Sequence, residues 1–193
     1  DGTMVWLNGG STLKYPNNFS DKKRNVVLDG EGYFEVTSRN GVPFTVSTSA
    51  YDIIVKGTKF NLCAYDIDAT SLTSLIEGKI EIDYKDELYE VSPGEGVCIN
   101  KNKGTVESFR SDVDDSNARI DGRIEYEKIT LADFAAKLSR KYGVEVCIEN
   151  NEIKCHTFRI SLKNNETLVQ VLDGLQLIIP FEYTIDKDRI IIK

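Results

Sequence analysis

At 193 residues the chain has room for one large domain or two small ones. Its apolar content of 40% and charged content of 28% are those of an ordinary globular protein. The net charge of −7 divides into −6 over residues 1–120 (13 Lys/Arg, 19 Asp/Glu) and −1 over residues 121–193 (11 and 12), so neither part suits a phosphate backbone and no nucleic-acid partner is expected.

The chain opens at Asp1-Gly2-Thr3 and enters a strand at residues 3–7 at once, which reads as a boundary inside a longer protein. No apolar run approaches the roughly 18 residues of a membrane span, and no signal peptide precedes the strand. Ser11–Lys14 belongs to a second strand, and Pro16-Asn17-Asn18 to a turn. Residues 26–37 alternate with period two: Val26, Leu28, Gly30, Gly32, Phe34 and Val36 share a buried face, and Asp29, Glu31, Tyr33 and Glu35 a solvated one. Two glycines on the buried face leave space for another backbone or a bulky ring to come close. Short strands follow at 42–48, 51–55 and 59–65. Apolar parity switches from Ile53 and Val55 to Phe60 and Leu62, so a bulge or corner is expected at Gly57-Thr58. Further strands are expected at 72–76, 79–84, 87–91, 97–99 and 106–109. Ten or so short strands without a helical period indicate an all-β sandwich, roll or short solenoid over 1–110.

Residues 111–121, with Asp112, Asp114 and Asp115, read as an acidic linker. From 122 to 193 the pattern becomes α+β in the order β-α-β-β-α-β-β. Thr130 and Asp133 start a helix carrying Leu131, Phe134, Ala135, Leu138 and Tyr142, and Gly143 ends it. A second helix runs from about Glu166 through Leu175, before Pro180. Strands are expected at 124–129, 144–148 and 156–162, with a final hairpin of 181–185 and 189–192. Cys147 and Cys155 fall on consecutive predicted strands, and a pairing centred near Asn151 sets them opposite each other. A disulfide in an oxidising compartment and two reduced, half-buried thiols both remain open, the second being the simpler reading.

The order Gly30-Glu31-x-Tyr33-Phe34-Glu35-Val36, Pro43-Phe44-x-Val46, Gly57-Thr58-x-Phe60-Asn61 resembles the FecR family of transmembrane anti-sigma regulators. Residues 1–11 with Trp6, the run Leu75–Ile80 with Gly78, and Pro93-Gly94-Glu95 extend that resemblance over about residues 1–100. The later Thr130–Leu138, Thr167–Leu172 and Tyr183–Ile192 segments resemble the short N-terminal (STN) module of secretins and TonB-dependent receptors, although Arg119-Ile120-Asp121-Gly122 lacks the aromatic that opens it. The resemblance implies the periplasmic part of a single-pass inner-membrane protein. A cytoplasmic part, not in this chain, would hold an extracytoplasmic-function sigma factor. The periplasmic part would sense the signalling domain of an outer-membrane TonB-dependent transporter, with regulated cleavage as a further family feature.

No catalytic set is expected. Glu31 and Glu35 share a strand face about 13 Å apart, beyond the roughly 5–9.5 Å of paired catalytic carboxylates. His156 is the sole histidine, and its neighbour Cys155 points to the opposite strand face. Four cysteines, none in a C-x-x-C, make no zinc site. Asp112, Asp114 and Asp115 lack the Gly and Glu of a calcium loop. No cofactor is expected. Two surfaces remain as candidate partner sites. One is the face of Glu31, Tyr33 and Glu35, unless Tyr33 packs beneath a neighbouring loop. The other is the edge of the last hairpin at Tyr183, Arg189 and Ile191, unless Lys187, Arg189 and Lys193 blunt it. The remaining signature positions read as structural, and Trp6 is expected in the core. The alternatives to a regulator are a secreted carbohydrate-binding or adhesion module and a β-roll hydrolase.

Overall fold

The computed structural model describes residues 1–111, 123–163 and 165–193, apart from the side chains of 123–125, 127 and 128. The acidic linker with Asp112, Asp114 and Asp115, and the segment 119–122, lie outside the described residues. The chain is mostly β and divides into two compact units, Asp1–Ser116 and Asn117–Lys193.

The first unit is one curled sheet of eleven strands. These are β1 (Met4–Leu7), β2 (Thr12–Lys14), β3 (Arg24–Glu35), β4 (Phe44–Ser47), β5 (Asp52–Val55), β6 (Lys59–Ala64), β7 (Thr70–Glu77), β8 (Ile80–Tyr84), β9 (Glu87–Val91), β10 (Glu95–Asn100) and β11 (Thr105–Arg110). The spatial order is β11-β10-β7-β6-β3-β4-β5-β8-β9, with β1 and β2 added on β3. The twelve-residue β3 is therefore the hub. Its first half pairs in parallel with β4 and antiparallel with β2, and its second half pairs antiparallel with β6 and β1. β1 and β2 follow one another along one edge of β3, where the Asn8 N–H donates to the Glu31 carbonyl (2.8 Å) between them, and β6 and β4, which share residues 32–35 with β1 and Val27 with β2, follow one another along the other. The curl closes around a core of Phe34, Phe44, Val46, Ile53, Phe60, Leu62, Ile80, Ile82 and Ile99. At its centre Phe34 and Phe60 stack in parallel, 4.9 Å apart.

The two glycines of β3 do what their face requires. A side chain on Gly30 (φ 131°) would reach within 2.6 Å of the Ser11 Cα, and one on Gly32 within 3.0 Å of the Phe34 ring. Ser11 crosses at Gly30 and bonds the Glu31 backbone N–H (2.8 Å) and C=O (3.1 Å) through its hydroxyl. The parity switch is a corner between β5 and β6. There Thr58 exchanges backbone bonds with Val36 (2.9 and 3.2 Å), and its hydroxyl donates to the Lys79 carbonyl (3.1 Å).

The second unit runs β12 (Arg123–Thr130), α1 (Leu131–Tyr142), β13 (Glu145–Ile148), α2 (Asn151–Lys154), β14 (Thr157–Lys163), α3 (Leu168–Gln176), β15 (Tyr183–Asp186) and β16 (Arg189–Ile192). This is the expected order with one short helix added. Thr130 caps α1 by accepting from the Asp133 N–H, Gly143 ends it at φ 66°, and Thr167 with Gln170 forms a full capping box on α3. Apolar residues of both helices meet Ile153, Phe158, Ile190 and Ile192 in one core. The strands form two sheets, β12-β14 and β13-β16-β15.

The adjacent strands that would set Cys147 opposite Cys155 do not pair. Asn150 accepts from the Glu152 N–H (2.9 Å) and Ile153 is buried, so α2 forms where a turn was expected. β13 then pairs in parallel with β16, not with β14. All four cysteines are free.

Candidate functional site

Registers across β1, β3, β6, β7, β10 and β11 place one row of side chains after another on the outer face of the first unit. Trp6, Tyr33, Asn61, Ser74, Gly96 and Phe109 are successive cross-strand neighbours. The next row runs Glu31, Cys63, Leu72, Cys98 and Glu107, and on the other side lie Met4, Glu35, Lys59 and Glu77. Residues directly opposite each other in a ladder point to the same face, so this grid is a continuous surface. Its exposed apolar members are Met4, Trp6, Leu72 and Phe109. Gly96 lies directly beneath the Phe109 ring, which fills the space a side chain would need.

The structure corrects two expectations about this face, Trp6 in the core and Glu31 on the solvated side, and has Tyr33 in its packed alternative. Trp6 is 44% exposed, because Val5 takes the inward position of β1 and period two turns Trp6 outward, where it leans on Tyr33 with ring centroids 5.5 Å apart. Tyr33 is in turn buried beneath its neighbours. Glu31 is buried at 3% exposure, and its carboxylate accepts from the Asn8 amide (2.8 Å) and the Asn61 amide (3.3 Å). The face is thus not the solvated Glu31, Tyr33 and Glu35 stripe that alternation alone suggests; of the three, Glu35 is half-buried. Glu31 is a clamp for the Asn8 loop, which is held further by the Tyr65 hydroxyl donating to the Gly9 carbonyl (2.8 Å).

The Tyr33 hydroxyl donates to Glu35 at 3.3 Å. Burial, and then the charge of Glu35, push it up to about 12. The fold therefore favours the neutral phenol. That contribution is complete below the unfolded value of about 10 and is lost as pH rises through about 12. Tyr33→Phe is expected to lose less stability than the parent between about pH 9 and about pH 11.5, read by urea unfolding. Parallel losses in both proteins would contradict this.

Beside this corner of the grid lies a cleft of about 310 Å³, lined among others by Glu35, Ser38, Gly57, Thr58, Lys59 and Glu77. Lys59 pairs with Glu77 at 3.2 Å. The other signature residues are structural in placement. Phe34, Phe44 and Phe60 are core, Pro43 leads into β4, Thr58 holds the corner, and Gly78 packs against the Gly57 carbonyl. Pro93 and Gly94 form a turn whose Gly94 N–H donates to Leu75.

In the second unit β16 is the central strand of its sheet, flanked by β13 and β15. Arg189 and Ile191 therefore offer no edge, correcting that part of the expected surface; Arg189 pairs with Glu145 (3.3 Å) and donates to the Cys147 sulfur (3.5 Å). The edge belongs to β15, with Tyr183 and Ile185. Tyr183 donates to Asp173 of α3 at 2.7 Å, so helix and edge strand lie side by side. His156 and Cys155 are exposed at the end of α2. Among the described residues, no three His, Cys, Asp or Glu gather where they could hold a metal ion, and no helix is long and apolar enough to cross a membrane.

The family model described as FecR protein matches residues 1–81, and the one described as FecR, C-terminal, matches residues 123–192. The chain belongs to the FecR family. A crystal structure of a candidate anti-sigma factor from Parabacteroides distasonis ATCC 8503 superposes with a TM-score of 0.90 at 28% identity, covering 100% of this chain and 91% of that one. A second structure with the same description gives 0.89 and 28%, covering 100% and 90%. No curated protein matches. FecR proteins are membrane-associated regulators rather than enzymes, and the anti-sigma class implies interaction with a sigma factor. The FecR C-terminal model spans β12 through β16, so β15 and α3 belong to a family module. Sequence reasoning missed Met4, Lys59, Asn61, Leu72, Glu77 and Phe109. Each strand's alternation marks which residues share a face, but only the nonlocal pairing puts them on one surface.

Proposed function

We propose that the chain is the periplasmic sensor part of a membrane-anchored anti-sigma regulator. It relays a signal from an outer-membrane TonB-dependent transporter to an extracytoplasmic-function sigma factor, which a cytoplasmic part outside this chain binds. The second unit acts as an STN-like module that docks the transporter's signalling domain. The open edge of β15 carries this reading. Glu182 and Lys193 exchange both backbone hydrogen bonds (3.3 and 2.8 Å), so Glu182, Thr184 and Asp186 are the residues bonded to the hairpin partner. The N–H and C=O groups of Tyr183 and Ile185 then face outward, ready to pair with an added strand. On the opposite edge the outward Val146 N–H is taken by the Ser139 hydroxyl (3.1 Å). A strand added at β15 would lie along α3, whose exposed stripe of Val169, Asp173 and Leu177 repeats every fourth residue. The partner must bind the on and off states differently to move the equilibrium held by the sigma factor.

The test is isothermal titration of the chain with the purified signalling domain of a TonB-dependent transporter from the same organism. Ile185→Pro removes an outward N–H without touching a bond to β16. It is expected to abolish the binding heat while leaving the unfolding midpoint within a few degrees. No heat with any such domain, or full binding by Ile185→Pro, would overturn the docking mode.

A further inference from the structure

We infer that the Trp6 corner of the first unit is a second docking surface. Its occupant is a partner segment that presents one cationic side chain, Arg or Lys, between apolar residues. Three observations converge on that chemistry.

The first is apolar area. Met4 and Trp6 are 54% and 44% exposed on β1, and β1 pairs with no strand but β3 among the described residues. An exposed Trp held against a buried Tyr is a rigid aromatic anchor of the kind interfaces favour.

The second is shape. The cleft of about 310 Å³ opens next to Glu35, the ladder neighbour of Met4, and its wall includes Gly57 and Thr58 at the corner. Its volume suits one long side chain rather than a whole strand.

The third is charge. The grid carries the carboxylates of Glu31, Glu35, Glu77 and Glu107 against the single amine of Lys59, in a region whose net charge is −6. Glu31 is spent on Asn8 and Asn61, and Glu77 is shared with Lys59. Glu35 faces the cleft with one oxygen on the Tyr33 hydroxyl. Its remaining lone pairs, in a cleft wall where Glu35 and Glu77 outnumber the Lys59 amine that lies between them in the ladder, suit a guanidinium or ammonium, while an anionic segment would be repelled.

Trp6 is the only tryptophan in the chain, so its emission reports this corner directly. The probe is the peptide acetyl-Leu-Val-Arg-Val-Leu-amide, titrated into the full chain. Its controls carry norleucine or Glu in place of Arg. A saturable change in Trp6 emission is expected with the Arg peptide and should weaken with added salt. Both control peptides should bind at least about tenfold more weakly, as loss of a charge-assisted contact implies. The double variant Glu35→Gln, Glu77→Gln should lose affinity for the Arg peptide by a similar factor while melting as the parent does. Equal binding of all three peptides, no saturable change, or an unchanged affinity in the double variant would overturn the proposal. So would saturable binding of a neutral oligosaccharide such as maltoheptaose in place of the Arg peptide. Because β15 is not involved, failure here leaves the transporter reading standing, and the converse holds too.

Discussion

Asp1→Ala is expected to cost about 3–5 kcal/mol of folding stability, the range for stranding a buried charge. Arg24 opens β3 with its side chain fully buried, and its guanidinium donates to the carbonyls of Thr37 and Val42, both at 2.7 Å. Asp1 supplies a carboxylate at 3.0 Å, with its own side chain 6% exposed, and the Phe44 ring lies 5.4 Å below the charge. Among the described residues the Nε of Arg24 has no partner, so only the two neutral carbonyls remain against the charge when Asp1 is gone. Burial, with Arg39 nearby, already lowers the proton affinity of the guanidinium, which shows the site disfavours an uncompensated cation. The pair also pins the segment that carries β1 to the start of β3. Urea unfolding followed by Trp6 emission measures the loss. Adding Arg24→Met to Asp1→Ala should recover part of it, because Met leaves no charge over Phe44. A loss below about 1 kcal/mol, the size of a surface ion pair, would contradict the account.

Gly30→Ala is expected to lose about 3 kcal/mol or more, combining backbone strain with overpacking. The φ of 131° lies where side chains are rarely tolerated, and the new methyl would sit 2.4 Å from the Ser11 Cβ and 2.6 Å from its Cα. A backbone cannot yield as a flexible side chain does, so Ser11 must leave β3. It would release its two bonds to Glu31 and disturb the Asn8–Glu31 clamp beside it. Chemical unfolding of the variant checks the cost, and a Gly30→Ala protein as stable as the parent would show that the Ser11 crossing is not tight.

The strands were legible wherever one face is buried, because burial imposes period two on the residues themselves. Ile80, Ile82 and Tyr84 against Glu81 and Asp83 show it plainly. The corner at Gly57-Thr58 was legible as a change of parity, and the first main helix through Thr130 at its start and Gly143 at its end. What escaped the sequence depends on contacts between distant segments. Glu31 and Tyr33 look solvated until Asn8 and Trp6 are brought beside them from 25 or so residues earlier in the chain. Trp6 looks like core because its own strand carries apolar residues on both faces, and only pairing at a sheet edge decides which face is outside. Helix α2 is one turn long, too short to show a period, and rests on Asn150 and Ile153. The parallel pairing of β13 with β16 links segments some forty residues apart, so the adjacent hairpin Tyr183–Ile192 gave no sign that Arg189 and Ile191 would be central.

Hydrogen–deuterium exchange of the chain, free and saturated with a transporter signalling domain, tests docking at the β15 edge most directly. The account predicts new protection at the amides of Tyr183 and Ile185, which point away from β16. Thr184, already bonded to β16, should change little, and so should the strands of the first unit far from Trp6. Binding with Tyr183 and Ile185 still exchanging freely, or protection confined to the first unit, would contradict it.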